Sequence, residues 1–140
     1  MPEKPDKRKL EEKYIQLQLL DAQMQEVERE LDALDLQTAE MRGLVLAIYD
    51  LGNVKLQSDA LSPLGGGFYV KSRVLDSKNL LVNVGANVMV QKTAAEAEQI
   101  LNKKITQLEG VAAKLTQNLQ SLVAQASQVQ QQLQSLILSK

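Results

Sequence analysis

Two apolar runs with alternating steps of three and four residues, separated by a turn-rich stretch, constrain this chain more than any other feature. With Leu10, Leu17, Met24, Leu31, Thr38 and Val45 as heptad position a, position d holds Lys13, Leu20, Val27, Leu34, Met41 and Ile48. A seam sustained over that many heptads predicts a long helix that pairs with another in a coiled coil. A second register places Ala94, Leu101, Leu108, Leu115, Leu122, Val129 and Leu136 at d, and Glu98, Ile105, Ala112, Leu119, Ala126, Leu133 and Lys140 at a. At 1.5 Å per residue the two helices, about 6–51 and 93–139, would run to roughly 65 and 70 Å. Near-equal lengths joined by a compact connector favour one antiparallel coiled coil, with the chain ends meeting at its far tip. Gly52 is expected to stop the first helix as a C′ glycine. Thr93-Ala94-Ala95-Glu96 has the capping-box spacing that starts the second. Residues 1–5, with Pro2 and Pro5, read as a short disordered lead-in.

Between the helices, about residues 60–92 read as β structure. Asn53 to Ala60 is polar and irregular, or a frayed helix end. Pro63 and Gly65-Gly66-Gly67 mark a turn, and Phe68 to Leu75 reads as a strand with Phe68, Val70, Ser72 and Val74 on one face. Asp76-Ser77-Lys78-Asn79 is a second turn. Leu80, Val82 and Val84 then alternate with Leu81 and Asn83, Gly85-Ala86-Asn87 turns again, and Val88 and Val90 carry a last strand to Lys92. Two linked hairpins follow. Short hairpins have open edges and little core of their own, so strands from other subunits are the obvious complement. The whole is an α+β fold in a single domain over 1–140.

Composition enters where function classes are excluded. Only 3% of the 140 residues are aromatic and there is no Trp, which suits a narrow aliphatic seam better than a compact core. The formal net charge is −1, with bases and acids interspersed, so the basic field that duplex nucleic acid requires is missing. Without Cys or His there is no thiolate nucleophile, no neutral-pH imidazole and no familiar metal ligand set. Gly65-Gly66-Gly67 lacks the spacing and the Lys-Ser/Thr of a phosphate-binding loop. No apolar run is long enough to span a membrane, and the first residues have no apolar signal region. The expectation is a non-enzymatic cytoplasmic protein with no cofactor, no metal, and neither nucleic acid nor membrane as partner.

Off the seam, the large apolar residues fall into two groups. Leu44, Leu46, Tyr49 and Ile100 lie beside the β stretch and are expected to pack against its base. Tyr14, Ile15 and Leu19, with Ile137 and Leu138, gather at the expected free tip. Apolar surface left in water at such a place marks a binding site for a partner with unburied apolar groups, as in a non-native chain.

The run Pro63-Leu64-Gly65-Gly66-Gly67-Phe68-Tyr69-Val70, then Asp76, Leu80-Leu81-Val82-Asn83-Val84-Gly85-Ala86, Val90-Gln91-Lys92 and Glu96-Ala97 resembles the centre of alpha-class prefoldin subunits. Ser62, Asn87 and Gln91 stand where that family customarily has an aliphatic residue, a glycine and a glutamate; Asn tolerates the left-handed backbone a glycine would adopt. The resemblance implies hairpins that join those of other subunits in an intersubunit β-barrel, in a hexamer of two alpha-class and four beta-class subunits. It implies an ATP-independent holdase whose coiled-coil tips capture unfolded polypeptides and deliver them to a group II chaperonin. Implied client contacts on this chain are Tyr14, Ile15, Leu19, Leu133, Leu136, Ile137 and Leu138. Implied assembly residues are Val70, Val74, Leu80, Val82, Val84, Val88 and Val90. A filament-forming prefoldin-like subunit or a plain coiled-coil scaffold is the alternative, because it would use the same β contacts.

Overall fold

A computed structural model of the chain describes residues 7–138; the expected lead-in at residues 1–5, the helix positions at residues 6 and 139, and seam position Lys140 lie outside the described residues. The elements run α1 (Lys7–Leu51), β1 (Asp59–Gly65), β2 (Phe68–Arg73), β3 (Asn79–Asn83), β4 (Met89–Thr93) and α2 (Ala94–Leu138). They divide into two compact units. One contains α1 up to Gln37 with α2 from Leu108 onward, and the other spans Thr38–Gln107.

In the first unit, Leu20, Val27, Leu122 and Val129 form the core, with Leu17, Met24, Leu31, Leu115, Leu119 and Ala126 packed against them. All ten are a or d residues. Along α1 from Lys7 to Asp50, the residues that are not exposed are the heptad positions from Leu10 to Ile48 and no others. Low numbers on α1 meet high numbers on α2. Lys13 Nζ donates to Gln132 Oε1 at 2.6 Å, and Val27 shares a shallow surface dip with Asn118 and Leu122. The two helical segments of this unit are therefore antiparallel. Lys13 is a half-buried cation in the seam that would otherwise hold an aliphatic side chain.

The second unit begins with the end of α1. The Gly52 N–H donates to Ile48 O and Tyr49 O at 3.3 and 3.2 Å. Gly52 does not take the left-handed conformation expected of a C′ glycine. A Cβ there would sit 3.3 Å from the Tyr49 carbonyl oxygen, so close backbone approach is the reason for glycine. The capping box at the start of α2 forms as expected. Glu96 N–H donates to Thr93 Oγ1 at 3.2 Å, while Glu96 Oε1 accepts from the Thr93 hydroxyl at 3.0 Å and from its N–H at 3.3 Å. The α2 seam matches the heptad reading from Leu101 to Leu136. In its first turns Ala97 is buried and Glu98 is exposed, because a carboxylate stays hydrated while the neighbouring methyl turns inward.

Four strands, not three, fill the connector. β1 pairs with β2 and β3 with β4, as two separate two-stranded antiparallel sheets. The stretch read as irregular to Ala60, and the Pro63 read as a turn residue, belong in part to β1. Pro63 fits there because the outer edge of β1 has no partner to miss its N–H, and the register shifts between Pro63 and Gly65. Asp76-Ser77-Lys78 is a link between sheets, not a hairpin turn. The Asp76 carboxylate ties that link together, accepting from Lys78 N at 2.9 Å, Asn79 N at 3.1 Å and Asn79 Nδ2 at 3.0 Å. In the β3–β4 turn Gly85, Ala86 and Asn87 all have positive φ (118°, 50° and 61°). Asn83 Oδ1 holds the turn by accepting from the Gly85 N–H at 2.9 Å.

Three outcomes follow. Lys13→Leu raises stability by roughly 1 kcal/mol in urea unfolding, because an aliphatic group adds apolar burial at a seam position now held by a half-buried lysine. Ala86→Gly stabilises by about 0.5–1 kcal/mol in the same measurement, since an alanine is strained at that φ. The Thr93 N–H and hydroxyl hold the Glu96 carboxyl below its ordinary range. A depressed folded-state pKa gives stability that is present above the unfolded value near 4.5 and is lost as pH falls through the folded value. Glu96→Gln therefore flattens the acid limb of a pH series of melting temperatures below about pH 5.

Candidate functional site

Two sets of exposed apolar side chains stand out, one on each unit. On the first unit, Tyr14, Ile15, Leu19, Ile137 and Leu138 are exposed, with Leu138 at 80%. The seam dictates this. With Lys13 and Leu20 facing α2, Tyr14 and Ile15 turn to the flank and the outer side, and Leu19 stacks one turn from Ile15. On α2, Ile137 and Leu138 follow the seam residue Leu136 in the same way. The Lys13–Gln132 hydrogen bond brings these two helix segments side by side. Leu133 is 7% exposed and Leu136 half-buried, so these two implied contact residues are seam residues first.

The surroundings are mostly polar. α2 carries no charged residue from Leu115 to Leu138, only apolar and neutral polar side chains. α1 presents Asp21, Glu26, Glu28, Glu30, Asp32 and Asp35, with Arg29 paired to Glu26 at 3.3 Å. Leu36 and Val123 are further exposed apolar residues of this unit.

On the second unit the hairpins expose apolar groups on both faces. Of the implied assembly residues, Val70, Val84 and Val88 are exposed, and Val74, Leu80, Val82 and Val90 are half-buried. Val82 lies opposite Val90, and Leu80 opposite Lys92, so these share one face of the β3–β4 hairpin. The other face holds Leu81 and Met89, both exposed, and Leu61, Leu64, Phe68, Tyr69 and Leu75 are exposed on or next to the first hairpin. These larger exposed residues are not among the implied assembly set, although their alternation with the valines was a signal in the sequence that both faces of the strands are apolar. On the β1–β2 hairpin, Ser62 Oγ and Ser72 Oγ lie 2.8 Å apart, and Arg73 Nε donates to Asp59 Oδ1 at 3.3 Å.

Of the residues expected to pack on the base of the sheet, Leu44 and Ile100 line a groove of about 560 Å³ beside β3. Leu46 and Tyr49 do not pack there. They sit at outward heptad positions and stay exposed. Among the described residues no helix is long and apolar enough to cross a membrane. Both surfaces are suited to non-covalent contact over apolar area.

Comparison with known proteins agrees with this architecture. The family model for prefoldin subunits matches residues 20–137. Prefoldin subunit alpha 1 of Thermococcus kodakarensis is 36% identical over 100 residues, covering 71% of this chain and 68% of that relative. Prefoldin subunit alpha of Archaeoglobus fulgidus is 29% identical over 126 residues, covering 90% and 92%. A solved cryo-EM structure of filamentous PFD from Methanocaldococcus jannaschii has the same fold, with a TM-score of 0.75 at 22% identity over 81% of this chain and 94% of that one. With two long helices, two antiparallel hairpins and a family match across most of its length, the chain belongs to the prefoldin family as an alpha-class subunit.

Proposed function

We propose that this prefoldin chaperone subunit acts as an ATP-independent holdase, which captures non-native polypeptides and delivers them to a group II chaperonin in the cytoplasm. The observation that carries the reading is the group Tyr14, Ile15, Leu19, Ile137 and Leu138, left in water at one end of a helix pair whose own seam is closed. An open apolar patch without an enclosed pocket binds by area, so it suits ligands that share unburied apolar groups and differ in sequence. Leu136 adds its exposed flank to the patch, and Leu133 supports it from the seam. Adhesion of this kind needs no bond-making step, so no catalytic residue, metal or cofactor enters.

The hairpins act in assembly. Val70, Val74, Leu80, Val82, Val84, Val88 and Val90 meet strands of beta-class subunits in an intersubunit β-barrel, within a complex of two alpha-class and four beta-class chains. A filament is the second reading, favoured by the filamentous assembly of the solved prefoldin that shares the fold. The mass of the pure chain separates them: long polymers support the filament, and a small species that grows only with a beta-class subunit supports the hexamer.

The combined variant Ile15→Gln, Leu19→Gln, Ile137→Gln and Leu138→Gln keeps good helix formers while removing the patch. In a complex reconstituted with a beta-class subunit, it is expected to lose suppression of client aggregation, measured by light scattering, with complex mass and helicity unchanged. Protection equal to that of the unaltered complex overturns the assignment of the patch.

A further inference from the structure

The two flanks of the seam in the first unit differ in chemistry. On α1 the residues that follow successive d positions are Tyr14, Asp21, Glu28 and Asp35, an aromatic and three carboxylates. Those that precede successive a positions are Gln16, Gln23, Glu30 and Gln37, and on α2 the matching residues are Asn118, Gln125 and Gln132. All six of these carboxamides are exposed. Gln23 and Asn118 line one surface dip with Glu26, Val27 and Leu122, so the two amide rows lie on the same side of the helix pair. Coiled-coil flanks often carry acids and bases that pair between helices, and these rows do not. Gln132 accepts from Lys13, and Gln125 donates to Ser121 of its own helix. Gln16, Gln23, Gln37 and Asn118 make no side-chain hydrogen bond among the described residues.

A carboxamide offers the same donor and acceptor as a peptide group, and a non-native chain has peptide groups left to pair. The spacing selects one conformation of that chain. Amides seven residues apart on a helix recur about every 10.5 Å. Polyproline II, a major conformer of unfolded chains, has no internal hydrogen bonds and brings its backbone back to one side every third residue, about 9.3 Å along its axis. A β-strand repeats at two residues, about 6.7 Å, and does not keep step. The offset of about 1 Å per repeat is within the swing of a glutamine side chain. Val27 and Leu122, both buried, floor the dip, and a hydrogen bond beside apolar groups is weakened less by water. The rows are also continuous with the apolar patch. Leu19 lies three residues after Gln16 and four before Gln23, adjacent to both on the helix surface.

We propose that the amide rows bind the backbone of a non-native chain in polyproline II form, pairing with its peptide groups while its apolar side chains occupy the patch. This rests on the holdase reading of the patch and adds the ligand class: extended chains recognised by unpaired peptide groups, whatever their side-chain charge. The test is fluorescence anisotropy of the full chain with a labelled, uncharged, unstructured leucine-containing peptide, and with the same peptide N-methylated along its backbone. N-methylation removes the backbone donors and keeps every side chain. It is expected to weaken binding about tenfold. The combined variant Gln16→Ala, Gln23→Ala, Asn118→Ala and Gln125→Ala, all at exposed positions where alanine favours helix, binds the unmethylated peptide about tenfold more weakly. It no longer distinguishes the two peptides, and its helicity by circular dichroism is unchanged. The patch variant Ile15→Gln, Leu19→Gln, Ile137→Gln and Leu138→Gln weakens both peptides and keeps their ratio. Full binding by the amide variant, or an N-methylation effect equal in it and in the unaltered chain, overturns the backbone contact and leaves the holdase reading standing. Failure of the unaltered chain to bind either peptide overturns both.

Discussion

Burial of one side chain every three to four residues along both helices is the constraint on which the other features rest. Leu20, Val27, Leu122 and Val129 define a line of closest approach, and every neighbouring residue takes its direction from that line. Tyr14 and Ile15 face outward because Lys13 and Leu17 face inward. The same chemistry therefore gives opposite results at adjacent positions: Leu20 at d closes the pair, while Leu19 one step before it is held in water. Lys13 shows that the seam is not tuned for cohesion alone. A cation accepted there, anchored to Gln132 at 2.6 Å, fixes register at a cost in stability, as polar seam residues do.

The hairpins rest on a different balance. Each is only two strands wide, and such a ribbon is marginal alone in water. Local devices hold each one in shape: the Asp76 carboxylate across the link, Asn83 on the Gly85 N–H, and three successive positive φ angles in one turn. None of these covers the apolar side chains on both faces. The ribbons are shaped within the chain, and Phe68, Leu81 and Met89 stay exposed on them, in keeping with a family of assembling subunits.

The helices were legible in the sequence because heptad period is a local, repeated signal, and the capping box because four adjacent residues suffice to form it. β1 was not. Its Pro63 and glycines argue for a turn until it is known that the strand lies at an edge and that its register slips at Pro63 and Gly65. The shift from Glu98 to Ala97 was hidden for a related reason: a strict seven-residue count does not anticipate hydration of one carboxylate. Of the residues proposed for client contact, the exposed ones could be picked out by subtracting the seam. The burial of Leu133 followed from its own a position. The groove could not be read at all, since α1, β3 and α2 contribute to it from distant parts of the chain.

An exposed apolar patch endangers the protein that carries it, because copies can stick to one another through it. The charge pattern of the first unit bears on this. From Asp21 to Asp35, α1 sets six carboxylates against Arg29 alone, while α2 from Leu115 to Leu138 is neutral. Two such units approaching through their α1 sides meet like charge, which opposes self-adhesion. A ligand reaching the patch along α2 meets only neutral groups, so its own charge matters little. Repulsion between copies combined with indifference toward other chains is what the proposed client-binding end would need in order to remain available, and here the two properties are carried by different helices of one pair.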